Sequence, residues 1–216
     1  MRKVAITKDN IKKIVDYLDS LFPDAKTELV SENEFQFLIA IIMSAQTTDK
    51  QVNKANQEFF KVLKSPEDGL NLGQKKIENY IKSIGFYKSK AKNIYKTCEI
   101  LSKEKLSDFD SVEKLQKLYG VGIKTAKVFL SVTKNTQVLA VDTHVHRVLN
   151  RLGFVKTKTP LQTDKEIQKV MIGDDLARLH HTLILFGRYH CTARNPKCNI
   201  CKLNKICRYY KIEKLK

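Results

Sequence analysis

Glycine- or serine-rich linkers, low-complexity tracts and internal repeats are all missing from this chain of 216 residues, which excludes a string of tethered modules or a solenoid. No hairpin signature separates its apolar stretches, which argues against a sheet. No apolar core of signal-peptide length follows Met1-Arg2-Lys3-Val4-Ala5, so no secretory address is expected. The longest apolar run, Phe35 to Met43, is broken by Gln36 and falls far short of the roughly 20 residues that a membrane span needs. The expectation is a cytoplasmic protein without a membrane partner. With 42% hydrophobic and 29% charged residues, the chain has the composition of globular proteins rather than disordered ones. Its length suits one domain, or two that share a core.

Acidic residues are also scarce: 23 Asp and Glu stand against 40 Lys and Arg, for a net charge of +17. Surface lysines can be a mere solubility device, but such an excess suits a polyanionic partner. The distribution favours the partner. From Phe186 to the end there are nine basic residues and a single acidic one, Glu213, which describes a patch rather than an even spread.

Periodicity points to helix nearly everywhere. Ile11, Ile14, Val15, Leu18 and Leu21 follow a 3.6-residue stripe that Pro23 stops. Ser31 and Glu34 form a candidate capping box before a buried helix running to Met43, and Thr48 and Gln51 repeat that signal before a helix stopped by Pro66. Shorter stripes run through Ile77, Tyr80, Ile81 and Ile84, and through Ala91, Ile94, Tyr95, Cys98 and Leu101. Further helices are predicted over Val112 to Leu118, Ile123 to Thr133, His144 to Leu152, Lys165 to Ile172 and Asp175 to Gly187.

Three constellations carry chemistry. Cys191, Cys198, Cys201 and Cys207 fall within 17 residues as C-x6-C-x2-C-x5-C, close enough for four thiolates to converge on one centre. In a reducing compartment such a cluster reads as metal ligands rather than disulfides. Only Cys198 and Cys201 form the close pair usual for zinc, and the compact run also suits a cubane iron–sulfur cluster, so spacing leaves zinc and iron level. Cys98, on an apolar helical stripe, reads as a small core residue.

The second constellation is Gly120-Val121-Gly122-Ile123-Lys124-Thr125, between two predicted helices. Glycines let backbone approach a phosphate, and the amides opening the next helix attract an anion. This is the pattern of a helix–hairpin–helix clamp on DNA. A bare glycine turn would be the simpler reading without Lys124 and the basic chain around it.

The third is Val141-Asp142-Thr143-His144, where Asp142 or Thr143 is a good N-cap. A helix of about twelve residues from Ile123 rises about 18 Å. The stretch Asn135 to Val141 can return a comparable distance at about 3.3 Å per residue, so Asp142 can lie beside Lys124. A lysine is nucleophilic when deprotonated, which nearby cations and partial desolvation promote. Such an amine could attack the sugar C1′ of a damaged nucleotide, expel the base and form a Schiff base. The aspartate would assist proton transfer and stabilise positive charge on the sugar. Strand cleavage by β-elimination would follow.

Leu118 to Ala126, then Val141-Asp142-Thr143-His144 eighteen residues after the lysine, then the four cysteines, together resemble the endonuclease III family of bifunctional DNA glycosylases and abasic-site lyases. The likeness extends through Leu38-Ile39-Ala40, Ser44 to Asp49, and Ile84 to Ala91, and spans roughly residues 8 to 210. It implies an all-α, two-lobed helix–hairpin–helix glycosylase fold. One lobe would be a central helical barrel over residues 24–135, and the other a cluster lobe from residues 1–23 and 136–216. It implies a [4Fe-4S] cluster on the four cysteines, Lys124 as Schiff-base lysine and Asp142 as catalytic aspartate. Gly120, Gly122 and Thr125 would hold DNA backbone, and Gln46 and Phe86 would fill the space vacated by a flipped base. Arg194 and Lys197, on a loop braced by the cluster, are expected to contact phosphates. The implied substrate is duplex DNA carrying oxidised or ring-damaged pyrimidines or abasic sites, bound by a monomer associated with the nucleoid.

Two positions depart from the family pattern. Tyr119 stands where proline is usual, making the turn into the hairpin less rigid, and Phe86 stands where leucine is common at the wedge. An adenine-mismatch glycosylase would share the fold but lacks the hairpin lysine, so Lys124 argues against it. A DNA-binding metalloprotein without catalysis would not need both Lys124 and Asp142.

Overall fold

In the computed structural model of the chain, residues 6–171 and 176–213 are described. All regular elements among them are helical: α1 (Lys8–Leu21), α2 (Glu34–Ser44), α3 (Asp49–Val62), α4 (Pro66–Ile81), α5 (Tyr87–Leu101), α6 (Val112–Leu115), α7 (Ile123–Thr133), α8 (Thr143–Leu152), α9 (Pro160–Val170), α10 (Leu176–Tyr189) and α11 (Arg208–Glu213). Side chains start most of them. Thr7, Asn33, Thr48, Ser65, Ser111, Asp142 and Thr159 each accept a bond from the third helical amide, satisfying a donor that has no partner within its helix. The capping box predicted at Thr48 and Gln51 is present. The one predicted at Ser31 is not, because Asn33 lies directly before the helix and its Oδ1 accepts from the Gln36 amide at 2.8 Å.

The chain forms two units, one of residues 27–136 and the other of the stretches up to Lys26 and from Gln137. In the first, α2 is buried from Phe35 to Met43, with α3, α5 and α7 packed on it. Burial of each large apolar side chain contributes about 1.5–3 kcal/mol. Gln36 is tolerated inside because every polar atom is used: Oε1 accepts from the Glu32 amide, and Nε2 donates to the carbonyls of Phe60 and Leu63, which end α3. Helix α4 is bent at Gly73, where φ is +72°. Its Gly69 lies so close to Cys98 that a Cβ would overlap the thiol sulfur. Cys98 is fully buried, and burial pushes its thiol up to about 12, as befits a core residue rather than a ligand.

The second unit is built on α10, which packs against α1 and α8, while α9 and α11 cover other faces of α8. Ile14, Leu18, Val148, Leu149, Leu183 and Phe186 form its core. Gly187 lets α10 and α8 cross closely, since a Cβ there would come within 2.9 Å of the His144 Cβ. The helix predicted to end at Ile172 ends at Val170, and Ile172 and Asp175 lie outside the described residues. No helix among the described residues is long and apolar enough to cross a membrane.

Candidate active site and metal centre

The glycine hairpin has a strict backbone requirement at one position and an open one at the other. Gly120 adopts φ +80°, and a Cβ there would meet the Asn93 side chain at 3.0 Å and Ile42 at 3.1 Å, so conformation and space both demand glycine. Gly122 is extended (φ −90°, ψ 176°), precedes α7 without a side-chain cap, and has nothing within 4 Å of its Cβ position. The amides that open α7 therefore sit behind a glycine with clear space in front. Ile123, Lys124 and Thr125 are the first three residues of α7; Lys124 is exposed, while Val121 and Ala126 are buried anchors on either side.

Tyr119 is not loose despite the missing proline. The Thr97 hydroxyl donates to its carbonyl at 3.1 Å, and the Lys96 ammonium lies 4.6 Å from its ring centroid. Both partners come from α5, which thereby fixes the hairpin.

Three backbone positions in this unit are left-handed without being glycine: Asn135, at φ +47°, Gln46, after α2, at φ +54°, and Phe86, before α5, at φ +56°. Such conformations cost about 1–2 kcal/mol, and Phe86 also leaves 68% of its surface in solvent. Phe86 is thus an aromatic side chain held out of the core on a strained backbone, a kind of strain that clusters at functional sites. The loops of Gln46 and Phe86 are tied together by Lys90, one turn into α5, whose buried Nζ donates to Thr47 Oγ1 at 2.6 Å. Burial lowers the Lys90 pKa from its ordinary value.

Asp142 belongs to the other unit. It is the N-cap of α8, and its Oδ1 accepts from the Val145 amide at 2.8 Å, which fixes the direction of the carboxylate. His144, next to it, is held below its usual pKa chiefly by burial, with Arg147 and Arg188 adding to the fall and Asp142 opposing it.

The same helix grips the cysteine loop through two arginines that sequence reasoning missed. Arg147 donates to the carbonyls of Gly187 at 2.7 Å and Cys191 at 3.2 Å. Arg151 donates to the carbonyls of Thr192 at 2.7 Å and Ala193 at 3.0 Å, and its guanidinium lies over the Tyr209 ring. Their i, i+4 spacing on a helix with an aspartate cap is the only sequence signal, and it does not say what they touch. Arg194 and Lys197 are exposed on the loop so held, in which the Thr192 hydroxyl donates to the Arg194 carbonyl at 2.6 Å.

Cys191, Cys198, Cys201 and Cys207 are all free, all half-buried, and line one cavity with Phe186 and His190 among others. Burial, aided by the neighbouring cysteines, pushes the Cys201 thiol up to about 11. Four thiolates in one cavity therefore need a cationic core to stabilise them. Among the described residues no three Cys, His, Asp or Glu side chains converge closely enough for a single ion. One zinc with about 2.3 Å bonds to four sulfurs would draw them to within about 3.8 Å of each other. A cubane spreads its thiolates over four irons, and four half-buried cysteines around one cavity can supply one thiolate to each. His190, which also lines this cavity, has a buried Nε2 without a protein partner.

Residues 39–171 match the HhH-GPD superfamily base excision DNA repair protein family, and residues 191–207 match the iron–sulfur binding domain of endonuclease III. The chain is 44% identical over 201 residues to endonuclease III of Rickettsia conorii, covering 93% of this chain and 96% of the relative. It is 42% identical over 188 residues to endonuclease III of Escherichia coli K12, covering 87% and 89%. Among solved structures, a trapped endonuclease III–DNA covalent intermediate superposes with a TM-score of 0.89 at 39% identity, covering 98% of this chain and all of the other. A non-covalent endonuclease III–DNA complex gives 0.88 at the same identity. A thermostable thymine-DNA glycosylase, at 21% identity, shares the fold with a TM-score of 0.79.

Proposed function

The chain belongs to the endonuclease III family of base excision DNA repair proteins, and from that premise we propose that Lys124 and Asp142 carry its chemistry. It is a bifunctional DNA N-glycosylase and abasic-site lyase with a [4Fe-4S] cluster, acting on damaged pyrimidines in DNA. The observation that carries the residue assignment is local. Lys124 stands exposed at the start of α7 behind an unobstructed glycine, and Asp142 has its carboxylate aimed by the first turn of α8.

In the proposed reaction the neutral Lys124 amine attacks C1′ of the flipped nucleotide and the bond from C1′ to the base breaks. The base leaves with the bonding electrons and takes up a proton. Asp142 accepts the proton that the lysine nitrogen loses, and its charge stabilises the cationic sugar as the glycosidic bond stretches. Opening of the sugar ring gives an iminium linking Nζ and C1′. Loss of a C2′ proton then expels the 3′ phosphate, and water releases the lysine.

Gly120, Gly122 and Thr125 present the opening amides of α7 to a phosphate, while Gln46 and Phe86 enter the stack where the base was. Cys191, Cys198, Cys201 and Cys207 hold the cluster. When bound, it supplies a fixed cationic core that organises the loop carrying Arg194 and Lys197, and the glycosylase and lyase steps draw neither electrons nor a Lewis acid from it. The enzyme works as a monomer on duplex DNA containing a damaged base or an abasic site, in the cytoplasm where the nucleoid lies. A duplex with one oxidised pyrimidine should lose that base and be nicked on its 3′ side. Equal nicking of the undamaged duplex would contradict the reading.

A further inference from the structure

His190 precedes the first cysteine of the cluster loop and is held on every side except one. Its ring stacks on Phe186 with centroids 4.8 Å apart and planes 16° apart, and meets the Tyr17 ring edge-on at 6.2 Å. Its amide donates to the Phe186 carbonyl and its carbonyl accepts from the Lys197 amide, each at 3.0 Å. The residue is 8% exposed. Its Nε2 is closed off from solvent and has no hydrogen-bond partner in the protein, although the residue lines the cavity that the four cysteines share.

A buried imidazole nitrogen without a partner is unfavourable, because it has given up water and gained nothing. Pure packing against Phe186 and Tyr17 could be met by a phenylalanine, which carries no such nitrogen. We propose that His190 is a cluster-tuning residue, donating its Nε2–H to a sulfur of the [4Fe-4S] cluster held by Cys191, Cys198, Cys201 and Cys207. A hydrogen bond to sulfur withdraws electron density and favours the more reduced cluster, so it raises the reduction potential. The inference rests on the cluster assignment, and the experiment separates the two.

Wild-type protein, His190→Phe and His190→Gln are purified and their iron, sulfide and visible absorption measured first. Colourless wild-type protein without iron overturns the cluster assignment itself. With equal loading, the reduction potential is read by voltammetry, the electrode supplying the electron, and the Fe–S stretching bands by resonance Raman. His190→Phe keeps the ring stack and loses the donor, so its potential falls and its Fe–S bands shift. His190→Gln restores an N–H at the place of Nε2 and returns both toward wild type. An equally loaded His190→Phe protein with unchanged potential and bands overturns the proposal, and would assign the nitrogen to a trapped water. If neither variant retains the cluster, the wild-type protein alone decides. With histidine labelled by ¹⁵N and the cluster photoreduced to its paramagnetic state, pulsed EPR should show coupling to an imidazole nitrogen. Absence of that coupling overturns the assignment.

Discussion

Arg151 and Thr192 lie far apart in the chain, yet the guanidinium Nη1 of the first donates to the carbonyl of the second at 2.7 Å. Through Arg151 the helix capped by Asp142 is fastened to the loop that carries the first cysteine and Arg194. Helix α8 and the cysteine loop are thus one hydrogen-bonded piece within their unit.

Replacing Arg151 with Met keeps a good helix former and removes the bonds to Thr192 and Ala193. A half-buried charged donor to a carbonyl, as at Thr192, is worth about 1.5–3 kcal/mol, and the exposed bond to Ala193 adds little, so a loss of about 2 kcal/mol in unfolding free energy is expected, with faster release of iron to a chelator. Chemical denaturation and the bleaching rate measure both. A variant that keeps its iron as long as wild type would show that the arginine does not brace the loop.

The basic loop should act on DNA of any sequence. Changing Arg194 and Lys197 together to Ala is expected to lower the slope of log affinity against log salt by about 1.8, at about 0.9 per phosphate contact. Binding to undamaged duplex at several salt concentrations gives the slope, and an unaltered slope sinks the assignment.

The two hairpin glycines should respond differently. Gly120→Ala forces a Cβ onto a left-handed backbone beside Asn93 and Ile42, costing about 1–2 kcal/mol of stability. Gly122→Ala has room and an ordinary extended backbone, so its thermal unfolding should match wild type while its DNA affinity falls, because the new methyl would occupy the space proposed for the phosphate. Equal loss of affinity and stability in both would contradict this division.

Lys90 is costly to the fold and useful to the loops. Its folded pKa is lowered by burial, so the protonated form is the destabilised one. That penalty is full below the folded pKa and disappears as pH rises toward the ordinary value of 10.5. Lys90→Met should therefore be at least as stable as wild type at neutral pH, with the advantage shrinking at alkaline pH. Its turnover on damaged duplex should nevertheless fall, since Thr47 loses its tie. A variant that is less stable at neutral pH would show that the bond to Thr47 outweighs the buried charge.

Much of this was legible in the sequence where local rules decide. The helix from Ile123 to Thr133 has the predicted bounds because apolar periodicity and the preceding glycine agree. Likewise Asp142 caps α8 as its residue type allows. Elsewhere tertiary contacts decide. The first turns of α4 went unseen because Gly69 and Gly73 weaken the pattern, whereas the fold needs a glycine against Cys98. Helix α6 is a single turn rather than reaching Leu118, and α9 starts at Pro160, earlier than its apolar stripe suggests, because Thr159 caps it. The targets of Arg147 and Arg151 are backbone carbonyls some forty residues away, and no spacing rule reports those.

The assignment of Lys124 as the nucleophile is tested most directly by borohydride trapping on a duplex with one oxidised pyrimidine. Native protein should give a covalent protein–DNA adduct that is absent with undamaged duplex. Asp142→Asn retains an N-cap residue, so it should fold and bind DNA while forming the adduct far more slowly. Lys124→Ala should fold, bind and give no adduct at all. An adduct formed at the native rate by Lys124→Ala would contradict the account.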